Sequence, residues 1–189
     1  MINTIVTYKN LHLYEVRNSK LDNAAKVTVI LALSGIPAVF VPLGGHADHF
    51  YLPKVAAMLV LVLSFSVMLA INKMQLKDIM QKDKINMSLF IYIILLFASV
   101  YTAENRELAI IGVAGRWEGF VTILLYMFLF IIARLYLAPD ERLFKIVLFT
   151  AIIVSIYGIF QTMGIEPFPR DVLRENWGSR AFSTMGNPN

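Results

Sequence analysis

VAAMLVLVLSFSVMLAIN, residues 55–72, runs for 18 positions without a charged side chain. At about 1.5 Å of rise per residue, such a run forms a helix of roughly 27 Å, close to the ~30 Å hydrocarbon core of a bilayer. Three more uncharged runs flank it: Val27–Ala47, Ile85–Ala103 and Ile146–Ile165, of 21, 19 and 20 residues. A fifth, Phe120–Ala133, has 14 residues and reaches spanning length once Arg134 snorkels to the headgroups and Leu135–Ala138 are added. Gly35 and Pro37 sit inside the first run and predict a kink there.

The whole chain agrees with this reading. It has 189 residues, 58% hydrophobic and only 16% charged, with mean hydropathy +0.65. Soluble domains carry about a quarter charged residues, so a water-soluble monomer is excluded, and so is a disordered chain. With no cysteine, there is no disulfide framework, thiolate metal site or cysteine nucleophile. The fold expected is all-α and polytopic, with about five transmembrane spans at 27–47, 55–72, 85–103, 119–138 and 146–163. Residues 1–26 form an amino-terminal tail, and 164–189 an outer segment leading into a sixth helix.

Basic residues place the spans in the membrane. The tail (Lys9, Arg17, Lys20, Lys26) and two connections (Lys73, Lys77, Lys82, Lys84; Arg134, Arg142, Lys145) hold 11 of the 17 lysines and arginines. By the positive-inside pattern these segments are cytoplasmic, amino terminus included. The tail lacks the apolar stretch and cleavage site of a signal peptide. Five of the six remaining basic residues are arginines: Arg106, Arg116, Arg170, Arg174 and Arg180. Arginine binds phosphate in a bidentate manner, so these side chains have two readings: contact with lipid headgroups, or convergence on a phosphorylated substrate.

Two outer stretches bear on that choice. Gly115-Arg116-Trp117-Glu118-Gly119 precedes the fourth span, which places Glu118 in the first turn of a helix and Trp117 at headgroup depth. Its GxxxG spacing encloses Arg, Trp and Glu, which is no helix-dimer motif. Leu108–Gly115 is too short to cross and lies in the interface or dips and returns. After the fifth span, Pro167 and Pro169 enforce an extended turn, and Asp171 is placed to cap a short helix through Trp177. The segment ends Gly186-Asn187-Pro188-Asn189. Asn187 followed by Pro188 reads either as the N-cap of a sixth helix, whose N–H groups would face anions beside Arg180, or as an ordinary Asn-Pro turn.

Other chemistry finds no support. His46, Asp48 and His49 form a solvated turn rather than a metal site, since no further ligand cluster completes a shell, and His12 lies in the tail. No nucleotide fingerprint, internal repeat or nucleic-acid pattern is present, and no cofactor is implied. Within the spans Ser, Thr and Gln161 are the main polar groups, read as helix-to-helix hydrogen bonds.

GRWEG opening a helix, together with the run from Gln161 through Gly164, Pro167, Phe168, Trp177 and Arg180 to the terminal GNPN, resembles the amino-terminal half of the O-antigen ligase family, which includes related polymerases and surface-polysaccharide ligases. The resemblance covers residues 85–189; the first two spans match only as hydrophobic topology. It implies the first half of a GT-C-like bacterial inner-membrane glycosyltransferase. Such enzymes move a glycan from an undecaprenyl diphosphate carrier to a glycan, lipid or protein acceptor outside the membrane. It also implies a large outer loop further along the chain carrying a functional histidine, so that this sequence reads as a fragment, inactive alone. On that reading Arg116 and Arg180 hold the diphosphate, Glu118 orients Arg116 or a sugar hydroxyl, and Asn187 contributes through the helix it caps. Two readings from other classes stand beside it: a transporter of an anionic or lipid-linked solute, which needs a polar path absent from these spans, and a membrane anchor that binds partners through its outer loop.

Overall fold

A computed structural model describes residues 19–41, 50–72, 83–137, 141–165, 181 and 183–185. Among these every regular element is a helix. The first helix, α1, runs Ser19–Ile30, widens into a π-helical stretch at Leu31–Gly35 and ends with a last turn at Ile36–Ala38. There follow α2 (Tyr51–Ile71), α3 (Lys84–Thr102), the short α4 (Arg106–Ile111), α5 (Phe120–Tyr136) and α6 (Glu141–Thr162). Lys20–Ala38 and the helices α2, α3 and α6 are each long and apolar enough to cross a bilayer, while α5 is a shorter apolar helix of 17 residues. The protein is a polytopic helical membrane protein.

The expected start of the first span, Val27, falls inside α1. Leu21, Ala25 and Val29 recur at helical spacing and are buried against Phe65 of α2 and Ile132 and Tyr136 of α5. Lys26 stays exposed on the other face, so a charge does not end this helix. The expected kink takes the form of the π stretch, where the Ile36 amide reaches back to the Leu31 carbonyl. Pro37 has no N–H to offer, and the Ser34 hydroxyl donates to the Ile30 carbonyl at 2.5 Å. Both are ordinary causes of a locally widened helix.

The packing defines two ends. At one, Leu21, Phe65, Ile132 and Tyr136 cluster, with the Phe65 and Tyr136 rings edge to face at 5.7 Å. At the other, Ile36 joins Met58, Val62 and Leu125, and Phe97 meets Phe120 edge to face at 4.8 Å. Thus α1, α3 and α6 run toward the second end, and α2 and α5 run back. Residues 103–119, 39–41 and 163–165 lie at the second end, here called the glycine end. Helices α1, α2 and α5 form the core. No residue of α3 is buried, and in α6 only Gln161 is.

Arg134, expected to reach the headgroups, is engaged by protein groups near the end of its helix. Its guanidinium donates to Asp83 and, at 2.6 Å, to Asn86 Oδ1, clasping α5 to the start of α3. Asp83 also caps α3 by accepting from the Asn86 amide at 2.7 Å. This bond from the Asn86 amide and the Arg134 hydrogen bond hold the Asp83 carboxyl below the usual carboxylate range. The hydroxyls of Ser66, Ser88, Thr102 and Ser155 donate to carbonyls four residues back in their own helices. They are therefore local bonds, not the helix-to-helix bonds the sequence suggests, because a carbonyl one turn back is always within reach.

Candidate functional site at the glycine end

The connection between α3 and α5 is built on two glycines. Helix α4 is capped by Asn105, whose side chain accepts from the Leu108 amide at 3.1 Å, and stops at Gly112. Gly112 has φ 94° and ψ 167°, a region open essentially to glycine alone. Its backbone lies against residues 117–119: a Cβ on Gly112 would stand 2.5 Å from the Glu118 nitrogen and 2.7 Å from the Gly119 nitrogen. A Cβ on Gly119 would likewise run into Gly112 N, Ile110 O and Ile111 C. The two glycines thus form the neck of a closed loop, 112–119.

Inside the loop the amides of Arg116 and Trp117 both donate to the Val113 carbonyl, at 3.0 and 2.9 Å. Gly115 and Trp117 have positive φ, 91° and 55°. The Thr122 hydroxyl, buried in the first turn of α5, donates to the Trp117 carbonyl at 2.5 Å. These contacts present Arg116 and Glu118 outward, both exposed. Glu118 lies outside α5, one residue before the N-cap Gly119, and not in the first turn as its position before the apolar run suggests. The closed neck is the reason: residues 117–119 are committed to passing Gly112 before the helix begins. Gly119 supplies no side-chain cap, and the first intrahelical bond is Ile123 to the Gly119 carbonyl. The amides of Phe120, Val121 and Thr122 therefore have no helical carbonyl to meet, and the positive end of the α5 dipole opens beside Arg116.

Arg106 and Arg134 are already engaged. Arg106 lies over the Tyr101 ring at 5.7 Å, and Arg134 is held in the clasp. The Arg116 side chain has no hydrogen-bond or ion-pair partner among the described residues. An uncommitted guanidinium carried on a backbone locked at its neck, beside a helix N-terminus, suits an anionic group with planar oxygen pairs, such as a phosphate.

A second feature at the same end was not legible in the sequence. Residues 183–185 form a turn strapped across three helices. The Ser183 amide donates to Gln161 Oε1 at 2.6 Å, and the Ser183 hydroxyl to the Val154 carbonyl at 2.6 Å. The Thr184 hydroxyl donates to the Pro37 carbonyl at 2.9 Å, and Lys54 Nζ to the Thr184 carbonyl at 2.6 Å. The signals were weak: Lys54 is a lone cation in its connection, and Gln161 a lone amide in an apolar helix. Arg180 and Asn187 lie outside the described residues, as do Arg170, Arg174, Asp171 and Trp177. The strap itself, residues 183–185, lies at the glycine end, the end that also carries Arg116. His46, Asp48 and His49 are likewise outside the described residues, among which no group of three or more His, Cys, Asp or Glu gathers.

Comparison of the chain with known protein families, with curated proteins and with solved structures finds no match.

Proposed function

We propose that this protein belongs to a bacterial inner-membrane glycosyltransferase of the O-antigen ligase kind, with its glycine end facing out and its amino terminus in the cytoplasm. The observation that carries the reading is Arg116, an exposed and uncommitted cation on a loop locked by Gly112 and Gly119 at the start of α5. In glycosyl transfer from a prenyl diphosphate, the bond from the anomeric carbon to the phosphate oxygen breaks and its electron pair stays on the diphosphate. The acceptor hydroxyl oxygen bonds to that carbon and gives up its proton to a base. Arg116, with Arg180, would hold the diphosphate as its charge grows, and each charge-assisted hydrogen bond contributes about 1.5–3 kcal/mol. Glu118 would orient Arg116 or a sugar hydroxyl, and Asn187 would add a helix N-terminus. The family pattern puts the base, a histidine, in a later outer loop; no histidine occurs among the described residues. The absence of charged side chains between Val55 and Asn72 and between Ile85 and Ala103 favours this reading over an ion-coupled transporter.

The test is Arg116→Lys and Arg180→Lys in the full-length protein, assayed for transfer of an undecaprenyl diphosphate-linked saccharide. Lysine keeps the charge and loses the bidentate fork, so each variant is expected to insert normally and lose transfer at least tenfold. Transfer at the original rate by both variants would overturn the assignment.

A further inference from the structure

Trp117 stands where a bulky side chain rarely does. Its φ is 55°, a left-handed conformation that crowds a Cβ and is usually left to glycine or asparagine. Glycine takes the other positive-φ positions of this loop, 112 and 115, yet position 117, between Arg116 and Glu118, is tryptophan. A residue persists in such a conformation only where its surroundings hold it, and backbone held in this way gathers at functional sites. Two hydrogen bonds flank its Cα. The Trp117 amide donates to the Val113 carbonyl at 2.9 Å, which ties the 116–117 peptide to the loop. The Thr122 hydroxyl donates to the Trp117 carbonyl at 2.5 Å, which ties the 117–118 peptide to α5. Thr122 is 2% exposed, in the apolar first turn of α5, where a hydroxyl is tolerated only when bonded. Its bond differs from those of Ser66, Ser88, Thr102 and Ser155, which stay within their own helices: it reaches five residues back, out of the helix and into the loop.

We infer that Thr122 is a positioning residue of the Arg116 site: its hydroxyl holds Trp117 in the left-handed conformation and so sets the direction in which Arg116 leaves the backbone. The inference rests on the proposed transfer at Arg116. Thr122 touches no substrate; it acts through its neighbour in space, because the chain from the fixed helix to Arg116 passes through Trp117. Without the hydroxyl, the 117–118 peptide loses its tie to α5, and Trp117 is free to relax to a negative φ, which turns the Arg116 Cα away from its place. The glycine neck stays closed, since the atoms that meet there belong to residues 110–112 and 117–119 and not to Thr122. A guanidinium displaced in this way still attracts the carrier but no longer lies where charge builds on the diphosphate. Such a change lowers kcat and leaves KM nearly as it was.

The test uses Thr122→Val, which keeps the shape and removes the hydroxyl, and Thr122→Ser, which keeps the hydroxyl; Thr122→Ala replaces the valine variant should that one fail to accumulate. Each is made in the full-length protein, alone and with Arg116→Lys, and transfer of an undecaprenyl diphosphate-linked saccharide is measured. Thr122→Val is expected to lower kcat roughly five- to tenfold, the worth of one hydrogen bond, with KM within about twofold. Thr122→Ser should transfer near the original rate. In the Arg116→Lys background, Thr122→Val should change the rate by less than about twofold, because the guanidinium it positions is already gone. A residue needed only for folding would lower transfer by the same factor in both backgrounds, and that result would overturn the inference, as would an unchanged kcat in Thr122→Val. Amide exchange at Arg116 and Trp117 tests the tie without any substrate: it should speed roughly five- to tenfold in Thr122→Val and return in Thr122→Ser, and unchanged exchange in Thr122→Val would overturn the inference on its own. Full transfer by Arg116→Lys alone would also overturn it, whereas full transfer by both Arg116→Lys and Arg180→Lys would overturn the proposed function beneath it.

Discussion

Replacing the neck glycines by alanine, one at a time, gives a graded response that the loop geometry fixes in advance. Gly112→Ala meets two penalties. A side chain at φ 94° and ψ 167° costs about 1–3 kcal/mol in backbone strain. Its Cβ would stand 2.5 Å from the Glu118 nitrogen and 2.7 Å from the Trp117 carbonyl carbon, and since both are backbone atoms, relief requires moving the chain. Overpacking of this kind costs about 1–3 kcal/mol, for a total of roughly 2–6 kcal/mol. Gly119→Ala meets only the second penalty, because its φ of −94° is open to any residue. Gly115→Ala meets only the first: its φ is 91°, with nothing within 4 Å of the new Cβ, and the cost is about 1–2 kcal/mol. The readout is hydrogen exchange at the Arg116 and Trp117 amides, which donate to Val113 only while the loop is closed. A penalty of 2 kcal/mol accelerates exchange about 30-fold, so Gly112→Ala should exceed that and Gly115→Ala should fall near or below it. Exchange in Gly112→Ala at the original rate, or a larger effect at Gly115 than at Gly112, would refute the closed neck.

Two further predictions concern the joints. The Asp83 carboxyl is held below its ordinary range by the Asn86 amide and by Arg134, so its contribution to stability is complete at neutral pH and is lost as pH falls below about 4. Melting temperature measured from pH 7 to pH 2 should fall less steeply in Asp83→Asn than in the unsubstituted protein, from a lower starting point; parallel curves would disprove the linkage. At the strap, Gln161→Leu removes the acceptor of the Ser183 amide, and loss of about 1 kcal/mol should speed its exchange roughly five- to tenfold. Unchanged protection of that amide would mean that the Val154, Pro37 and Lys54 contacts hold the strap by themselves.

Most of the helices are legible in the sequence because lipid demands long apolar runs, and a run is visible one residue at a time. The reading places α2 and α3 within four residues of their observed ends, Val55–Asn72 against Tyr51–Ile71 and Ile85–Ala103 against Lys84–Thr102. It fails at the start of α1, where Asp22 and Lys26 interrupt the run although Leu21, Ala25 and Val29 continue a buried stripe. Reading from charge to charge cannot see a stripe. For α6 the helix starts at Glu141, five residues before the apolar run, on a solvated turn where Lys145 meets Glu141 at 3.3 Å. The loop 112–119 shows a different limit. Gly115 and Gly119 stand out as a pair, but the contact that shapes the loop joins Gly119 to Gly112, a lone glycine in an apolar stretch. Two backbones seven residues apart meet there, a contact with no periodicity and no side chain to announce it. The strap is harder still, since Thr184 and Pro37 are 147 positions apart.

The arginines of the described residues show why Arg116 differs from the rest. A guanidinium on a mobile loop would have to be ordered when an anion binds, and that ordering would offset part of the interaction. The backbone of Arg116 avoids this because α5 is fixed at both ends, by the Asp83–Arg134 clasp at one and by the glycine neck and the Thr122–Trp117 bond at the other, so that only the side chain remains to be ordered. Helix α5 is also part of the buried core, with Leu125 and Ile132 packed on α1 and α2. The residues that position the loop, at its neck and along α5, are therefore apolar or paired, whereas the one cation at its apex is neither. Preorganisation of this kind strengthens an interaction with developing charge without reorganisation at the moment of reaction. On the proposed function, breaking the clasp with Arg134→Leu should lower transfer in the full-length protein, although Arg134 lies at the opposite end of the helix; transfer at the original rate would refute the coupling.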